Sequence, residues 1–166
     1  MQDPRENASQ FVDRYLKKHL DEVVHGAVLE AGCGSGAILH AIAREYSNLF
    51  IIGVDRSEDM AGKARSEVAG LNHVWATSAD IYELPFPDDN FDLVYSRFLY
   101  EELEDPVRAT KELFRVCKPG GKLVLQDLDG RKLFSFGKST CFSFLEAESE
   151  CWQKLSALFT LCFVKG

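Results

Sequence analysis

The chain has 166 residues, of which 46% are hydrophobic, 11% aromatic and 27% charged, a composition typical of one ordinary globular domain. A chain of this length buries roughly 70% of its unfolded surface, so it can form a core without disulfides or structural metals. The net charge of −7 argues against nucleic acid as a partner.

The spacing of apolar residues predicts alternating helices and strands along the chain. Gly26 ends the first helix, Ser35 and Ser57 are predicted to cap the next two, and Asp105 caps a helix that has Pro106 in its first turn. In chain order, the predicted elements are a helix over residues 8–24, a strand over 27–30, a helix over 36–46, a strand over 49–55, a helix from 58, a strand over 73–78, a strand over 91–96, a helix over 106–117 and a strand over 122–127.

Five strands separated by helices, with no hairpin signal between them, predict an α/β fold. We expect a doubly wound, Rossmann-like and mostly parallel sheet in three αβα layers. The whole chain, residues 1–166, is interpreted as one domain with an N-terminal helix (1–25), a core (26–130) and a Phe-rich tail (131–166). The tail is predicted to form a loop followed by a helix within residues 145–163.

Acidic residues concentrate in one part of the chain. Nine acids and a single base, Arg97, lie between Asp80 and Asp105. A solvated acidic surface is favoured there over a site that selects cationic substrates.

The five cysteines are an odd number and form no Cys-x-x-Cys pair or cluster with histidine, which favours free thiols in a reducing compartment and no zinc site. Residues 1–25 contain no apolar signal segment, and the most apolar run, Leu155–Val164, is too short to cross a bilayer. The sequence therefore predicts a cytoplasmic protein that has no membrane partner.

A glycine-rich loop, Gly32-x-Gly34-x-Gly36, lies between the first strand and the second helix. Glycines allow a tight turn and a close approach of a ligand to the backbone. Asp55 ends the next strand, where its carboxylate could accept hydrogen bonds from ribose hydroxyls at the carboxyl edge of the sheet. The same glycines also fit the dinucleotide pattern Gly32-x-Gly34-x-x-Ala37, so the spacing alone leaves two cofactor classes open.

Further segments resemble the class I S-adenosylmethionine-dependent methyltransferases of the small-molecule type. The resemblance covers about residues 10–130 and includes the acid Glu30 two residues before the first loop glycine. The matching segments are Val28–Gly36, Gly53–Met60, Ser78–Ile81, Leu84–Phe86, Phe91–Ser96 and Leu113–Leu123.

The resemblance implies S-adenosyl-L-methionine as the cofactor and assigns roles within its site. Asp55 would bind the ribose, Asp80 the adenine amino group and Ile81 the adenine ring face, while Glu30 would lie near the cofactor's ammonium or simply shape the loop. Tyr95 and Ser96 would lie beside the methionine end through their backbone atoms. The full predicted cofactor set is Glu30, Gly32, Cys33, Gly34, Gly36, Asp55, Arg56, Met60, Ala79, Asp80, Ile81, Tyr95 and Ser96; no catalytic residue and no metal ligand is assigned.

The resemblance implies methyl transfer to a small-molecule acceptor by in-line displacement, which mainly requires alignment of the reactants and exclusion of water. Two subclasses of the family are disfavoured. Ser96-Arg97-Phe98-Leu99 stands where amide and adenine methyltransferases have an Asp/Asn-Pro-Pro-Tyr/Phe motif, and the Pro-Cys pair that usually holds the nucleophile of cytosine methyltransferases does not occur. The alternatives are a catalytically silent S-adenosylmethionine-binding scaffold or partner protein and, more remotely, an NAD-dependent oxidoreductase. Arg97 is predicted to contact either a substrate carboxylate or, preferably, the acidic segment.

The family usually has seven strands and ends with an antiparallel hairpin, whereas this chain ends about where that hairpin would begin. We therefore expect about five strands, with the fifth strand at an exposed edge that could be covered by the tail or by a second copy in a homodimer. Phe11 and Tyr15 of the first helix could cover the ligand pocket, but packing of that helix onto the sheet is the favoured interpretation.

Overall fold

The computed structural model describes residues 4–127 and 159–165. The N-terminal helix consists of α1 (Pro4–Phe11), a π-helical turn (Val12–Leu16) and α2 (Lys17–Leu20). The other helices are α3 (Ala37–Glu45), α4 (Glu58–Glu67), a 3₁₀ turn (Tyr100–Glu102) and α5 (Pro106–Val116). The strands are β1 (Ala27–Ala31), β2 (Phe50–Asp55), β3 (Val74–Ser78), β4 (Phe91–Arg97), β5 (Cys117–Asp127) and β6 (Phe159–Val164).

The strands form one sheet in the order β3-β2-β1-β4-β5-β6. The first five strands are parallel, and only β6 runs antiparallel, against β5. The chain winds outward from β1 to β3 and then returns to place β4 on the other side of β1, so the order reverses between β1 and β4. The predicted doubly wound, mostly parallel α/β fold is confirmed. The reversal also identifies the edge at which ligands bind in such sheets.

The C-terminal edge of the sheet differs from the prediction. Residues 159–163 were predicted to be helical but belong to β6, which pairs with β5 from Lys122↔Val164 to Asp127↔Phe159. The described sheet therefore has six strands, one of them antiparallel, and β5 is not an edge strand. The argument for a homodimer through an exposed β5 loses its basis, while residues 145–158 of the predicted helix lie outside the described residues.

Two apolar layers cover the two faces of the sheet because successive residues of a strand point to opposite sides. On the first face, Val28 of β1 and Tyr95 of β4 pack beneath the N-terminal helix, α3 and α4. On the second face, Leu29 of β1 and Val94 of β4 pack against α5 and the 3₁₀ turn. The favoured packing role of Phe11 is supported, since its side chain is buried in the first layer.

Local signals predict two of the three N-caps correctly, whereas the first helix ends at Leu20 and not at Gly26. Ser57 accepts a hydrogen bond from the Met60 N–H, and Asp105 accepts one from the Arg108 N–H, as expected of N-caps. Ser35 does not cap α3, because Gly36 occupies the N-cap position with a left-handed backbone. Among the described residues, no helix has the length and apolar character needed to cross a bilayer.

Candidate functional site

Three glycines shape the loop between β1 and α3, and all three have positive φ: +76° at Gly32, +51° at Gly34 and +85° at Gly36. A Cβ placed on Gly36 would lie 2.8 Å from the Cα of Ala64, so this glycine lets α3 pack closely on α4. A Cβ on Gly34 would meet no described atom within 4 Å. The loop therefore turns tightly at both ends and leaves open space beside its middle glycine, where a ligand can approach the backbone.

The carboxyl end of β2 holds this loop in place through Asp55. One carboxylate oxygen of Asp55 accepts a hydrogen bond from the Gly34 N–H at 2.9 Å, and the other accepts one from the Ser57 N–H at 2.9 Å. Each carboxylate oxygen can accept more than one hydrogen bond, so the half-buried side chain keeps acceptor capacity for a ligand. Asp55 thus connects the glycine loop to the beginning of α4 at the predicted ligand-binding edge.

The end of β3 lies beside the end of β2, because the Ala79 N–H donates to the Asp55 carbonyl at 3.0 Å. Asp80 follows with an exposed side chain, whose carboxylate accepts a hydrogen bond from the Tyr82 N–H at 2.9 Å. Ile81 is half-buried and packs against the second apolar layer. The structure therefore brings Gly34, Asp55 and Ala79 together and places Asp80 and Ile81 directly after them.

A polar row crosses the first face of the sheet where the strand order reverses. Glu30 of β1 is opposite Tyr95 of β4, and Arg97 of β4 is opposite Gln126 of β5. The Glu30 side chain is only 2% exposed. Its Oε2 and the Tyr95 hydroxyl have no hydrogen-bond partner among the described residues.

Burial dominates the electrostatics of Glu30. It raises the pKa of the carboxyl to about 8, although the nearby Tyr95 hydroxyl and the Arg97 charge oppose the change. The buried carboxyl is therefore largely protonated at neutral pH. A cationic ligand at this position would favour the ionised carboxylate.

The end of β4 has an unusual backbone. Phe98 has φ +55°, a conformation that is uncommon for a bulky side chain and that recurs at ligand-binding sites. Its N–H donates to the Gln126 carbonyl at 2.9 Å, which extends the pairing with β5 past the end of the strand. Ser96 is buried beside it, and its hydroxyl has no hydrogen-bond partner among the described residues.

Three further predicted cofactor residues differ in exposure: Cys33 is buried, whereas Arg56 and Met60 are exposed. Cys33 is buried, and its Cβ lies 2.9 Å from where a Cβ on Gly53 would stand, so its side chain fills the space left by that glycine. Burial raises the pKa of the Cys33 thiol well above its ordinary value, so the thiol stays neutral. Arg56 directly follows Asp55, and Met60 lies in the first turn of α4.

Contrary to the favoured interpretation, Arg97 forms no ion pair with an acidic residue of the segment Asp80–Asp105 among the described residues. Its Nε donates to Gln126 Oε1 at 3.1 Å, and its guanidinium lies 4.8 Å from the ring centroid of Phe11 and 4.3 Å from that of Phe98. Arg115 instead pairs with an acid of this segment and donates to Asp88 at 2.7 Å.

Sequence reasoning missed Gln126 and Phe98 as neighbours of the site. No motif marks Gln126. Its position near the end of the last parallel strand is the only signal that could have identified it.

The sheet order, the glycine loop and the acids at the strand ends define a Rossmann-like nucleotide-binding fold. Residues 29–125 match the family described as "Methyltransferase domain", and the match covers more than half of the chain. The chain therefore belongs to the methyltransferase domain family, for which S-adenosylmethionine is the cofactor. The family assignment identifies the glycine loop as an S-adenosylmethionine loop and not as the dinucleotide loop that its spacing also allows.

Individual relatives agree with the family. The chain is 34% identical over 142 residues to a ubiquinone/menaquinone biosynthesis C-methyltransferase of Geobacter sulfurreducens, which covers 81% of this chain and 56% of that protein. It is similar to the crystal structure of an S-adenosylmethionine-dependent methyltransferase from Mesorhizobium loti, with a TM-score of 0.61 and 28% identity over 74% of this chain and 55% of the other. The chain spans about half the length of the curated relatives it matches.

Another solved structure shares the fold over nearly the full length of both proteins. This structure, a methyltransferase-like protein from Methanococcus maripaludis, covers 97% of this chain and 91% of its own length, with a TM-score of 0.65 and 20% identity. At this identity the similarity bears on the fold alone.

Proposed function

We propose that this chain transfers a methyl group from S-adenosylmethionine to a small-molecule acceptor. The observation that carries the proposal is the placement of Glu30, Gly34 and Asp55 near the carboxyl ends of β1 and β2. They supply a buried carboxyl with one oxygen unpartnered among the described residues, an open backbone position and a half-buried carboxylate. The Glu30 carboxyl suits the ammonium group of the cofactor, and the Asp55 carboxylate suits its ribose. The open backbone at Gly34 lets the cofactor approach the loop. The family match supports the same ligand.

Each end of the cofactor has suitable neighbours in this proposal. Asp55 accepts hydrogen bonds from the ribose hydroxyls, Asp80 accepts one from the adenine amino group, and Ile81 contacts the adenine ring. Arg56, before α4, and Met60, in its first turn, border the adenosine end. Gly32, Cys33, Gly34 and Gly36 contribute backbone, and the Cys33 thiol has no chemical role because it is buried and neutral.

The methionine end lies against the ends of β1 and β4. Glu30 pairs with the ammonium group, and Tyr95 and Ser96 line the same region. The bound cofactor supplies an activated methyl group on a positively charged sulfur, so the protein has to align the acceptor and exclude water. The N-terminal helix, which carries Phe11 and Tyr15, covers this face of the sheet and excludes water from it.

The acceptor is proposed only as a class. The matched relatives include a C-methyltransferase of quinone biosynthesis, an O-methyltransferase for malonyl-[acyl-carrier protein] and a phosphatidylethanolamine N-methyltransferase. These relatives modify carbon, oxygen and nitrogen, so the family does not fix the methylated atom. We propose a small-molecule acceptor, a cytoplasmic location and a single domain over residues 1–166.

The first experiment is a calorimetric titration of the purified chain with S-adenosylhomocysteine, with NADH as the control ligand. Asp55→Ala should weaken S-adenosylhomocysteine binding more than tenfold, because it removes a ligand acceptor and releases the Gly34 N–H. Asp59→Ala is the matched control, since Asp59 is exposed on α4 and, within residues 4–127 and 159–165, its carboxylate pairs with Lys63 alone. Tighter binding of NADH, or no binding of S-adenosylhomocysteine by the folded protein, would contradict the proposal.

A second assay separates an enzyme from a silent cofactor-binding scaffold. Methyl transfer from labelled S-adenosylmethionine is measured with reduced quinones, phenols and amines as acceptors. Transfer that Asp55→Ala abolishes supports an enzyme. Cofactor binding without transfer to any acceptor supports the scaffold.

A further inference from the structure

Arg97 is a half-buried cation at the reversal of strand order that has no ion-pair partner among the described residues. It ends β4 on the same face of the sheet as Glu30 and Tyr95, beneath the N-terminal helix. Two other arginines of the described residues form ion pairs with carboxylates. Arg115 binds Glu112 and Asp88, and Arg65 binds Glu58.

The contacts of Arg97 fix its orientation but leave donors unused. Its Nε donates to Gln126 Oε1 at 3.1 Å, and the rings of Phe11 and Phe98 lie within 5 Å of the guanidinium carbon. A guanidinium has five N–H donors, and no described oxygen accepts a hydrogen bond from the two terminal nitrogens. The terminal nitrogens are therefore held in place and available to a ligand.

Partial burial makes an unpaired cation costly, so its retention calls for a partner. Burial lowers the pKa of Arg97, and the charge of Glu30 opposes this change. Glu30 alone is a poor partner because its own carboxyl is largely protonated at neutral pH. A bound anion would supply the missing charge.

Two irregular backbone segments converge on Arg97. Phe98 adopts its left-handed conformation directly after it, and the π-helical turn Val12–Leu16 places Tyr15 near enough to interact electrostatically with the guanidinium. Short π-helical segments and left-handed bulky residues both concentrate at functional sites.

We propose that Arg97 binds the carboxylate of a ligand seated between the N-terminal helix and the carboxyl ends of β4 and β5. A planar guanidinium is the side chain best suited to hold a carboxylate through two parallel hydrogen bonds. The proposal rests on the proposed function, because that function offers two sources of this chemistry: the α-carboxylate of the cofactor and a carboxylate on the acceptor. The two rings beside the guanidinium suit an acceptor whose carboxylate adjoins an apolar or aromatic portion.

The test compares ligands with and without the carboxylate. The full chain, Arg97→Met and Arg97→Lys are titrated with S-adenosylhomocysteine and with 5′-methylthioadenosine, which lacks the amino-acid end. Each protein saturated with S-adenosylhomocysteine is then titrated with benzoate and with benzamide. Arg44→Met is the control, since Arg44 is exposed on α3, and thermal unfolding verifies that each variant is folded.

Either of two patterns supports the proposal. If Arg97 binds the cofactor, Arg97→Met weakens S-adenosylhomocysteine about tenfold or more and leaves 5′-methylthioadenosine unchanged. If Arg97 binds the acceptor, S-adenosylhomocysteine is unaffected, and benzoate, but not benzamide, binds the wild type and is lost in Arg97→Met. In both cases Arg97→Lys retains part of the affinity, because it keeps the charge without the paired geometry.

Other patterns overturn it. Equal weakening of both adenosine ligands would make Arg97 a structural residue. Unchanged affinity for S-adenosylhomocysteine, together with benzoate binding that is absent or independent of Arg97, would do the same, and both results leave the proposed function intact. Failure of the wild-type protein to bind S-adenosylhomocysteine would overturn the proposed function, and this inference with it.

Discussion

Glu30 and Tyr95 face each other across β1 and β4, and each carries a buried oxygen that lacks a hydrogen-bond partner among the described residues. Buried polar atoms without partners are rare, and each one left unpaired costs about 1–3 kcal/mol. A cation bound between the ends of these strands would satisfy the carboxylate and remove much of that cost. The pair therefore links protonation and ligand binding to the stability of the fold.

We expect Glu30 to make the protein less stable as the pH rises. The pKa of this carboxyl is about 8 in the folded protein and lies near 4.5 when it is exposed to solvent. Between these values the folded state holds a proton that the unfolded state has lost, so the free energy of unfolding falls as the pH rises. The contribution of Glu30 is fully present below pH 4.5 and is lost once the pH passes 8. The total loss is roughly 4–5 kcal/mol at 1.36 kcal/mol per pKa unit. Glu30→Gln should remove this slope.

The measurement is urea unfolding of wild type and Glu30→Gln at several pH values from 5 to 9. The difference between the two proteins isolates Glu30, because other titrating groups, such as the buried His19, are common to both. The free energies of unfolding should diverge with rising pH in favour of the variant. Two curves that stay parallel would show that Glu30 does not titrate in this window.

Binding of S-adenosylhomocysteine should release protons near neutral pH, if the proposed function is correct. Its ammonium group favours the ionised form of Glu30, which is mostly protonated in the free protein at pH 6.5. Calorimetric enthalpies measured in phosphate and in Tris report the number of protons released. We expect close to one proton for wild type and none for Glu30→Gln, and equal numbers in the two proteins would exclude Glu30 as the source.

Gly34 and Gly36 should respond differently to alanine. Gly36→Ala combines a left-handed backbone with a contact of 2.8 Å to the Ala64 backbone, and we expect it to cost roughly 2–4 kcal/mol of stability. Gly34→Ala meets only the backbone penalty of about 1 kcal/mol, but its methyl group enters the open space beside the loop. Urea unfolding and titration with S-adenosylhomocysteine should show that Gly36→Ala mainly loses stability and Gly34→Ala mainly loses affinity. Equal losses of stability would contradict this assignment.

The sequence predicts the parallel part of the fold well. Strong local signals, such as Asp105 before Pro106 and Asp55 at the end of a buried strand, indicate where helices and strands begin and end. Glycine spacing predicts the loop, although only the structure separates the packing role of Gly36 from the open position of Gly34.

Contacts between distant parts of the chain account for what the sequence does not predict. Residues 159–163 contain apolar residues that suit either a helix or a strand, and pairing with β5 decides for a strand. The sequence also does not predict the partner of Arg97, because Gln126 lies 29 positions away and is aligned with it only by the register of β4 and β5. The mutual burial of Glu30 and Tyr95 also follows from that sheet order.

Arg115 should be the residue on which the segment after β3 depends most. Its terminal nitrogens donate to the carbonyls of Leu84 and Phe86 at 3.1 and 2.9 Å, and it also binds the carboxylates of Glu112 and Asp88. Glu112 in turn accepts a hydrogen bond from the Leu84 N–H at 2.7 Å. This network holds α5 against the segment Leu84–Asp88, which follows the turn at Asp80.

Arg115→Met should therefore cost roughly 2 kcal/mol of stability, a moderate value because the side chain is about one-third exposed. Arg115→Lys should recover little of the loss, because one ammonium group cannot reach four acceptors spread over two segments. Lys111→Met on the exposed side of the same helix is the control and should change stability by less than about 0.5 kcal/mol. Urea unfolding measures the loss of stability in all three variants. A loss in Arg115→Met as small as that of the control would mean that the segment Leu84–Asp88 is held mainly by its apolar contacts.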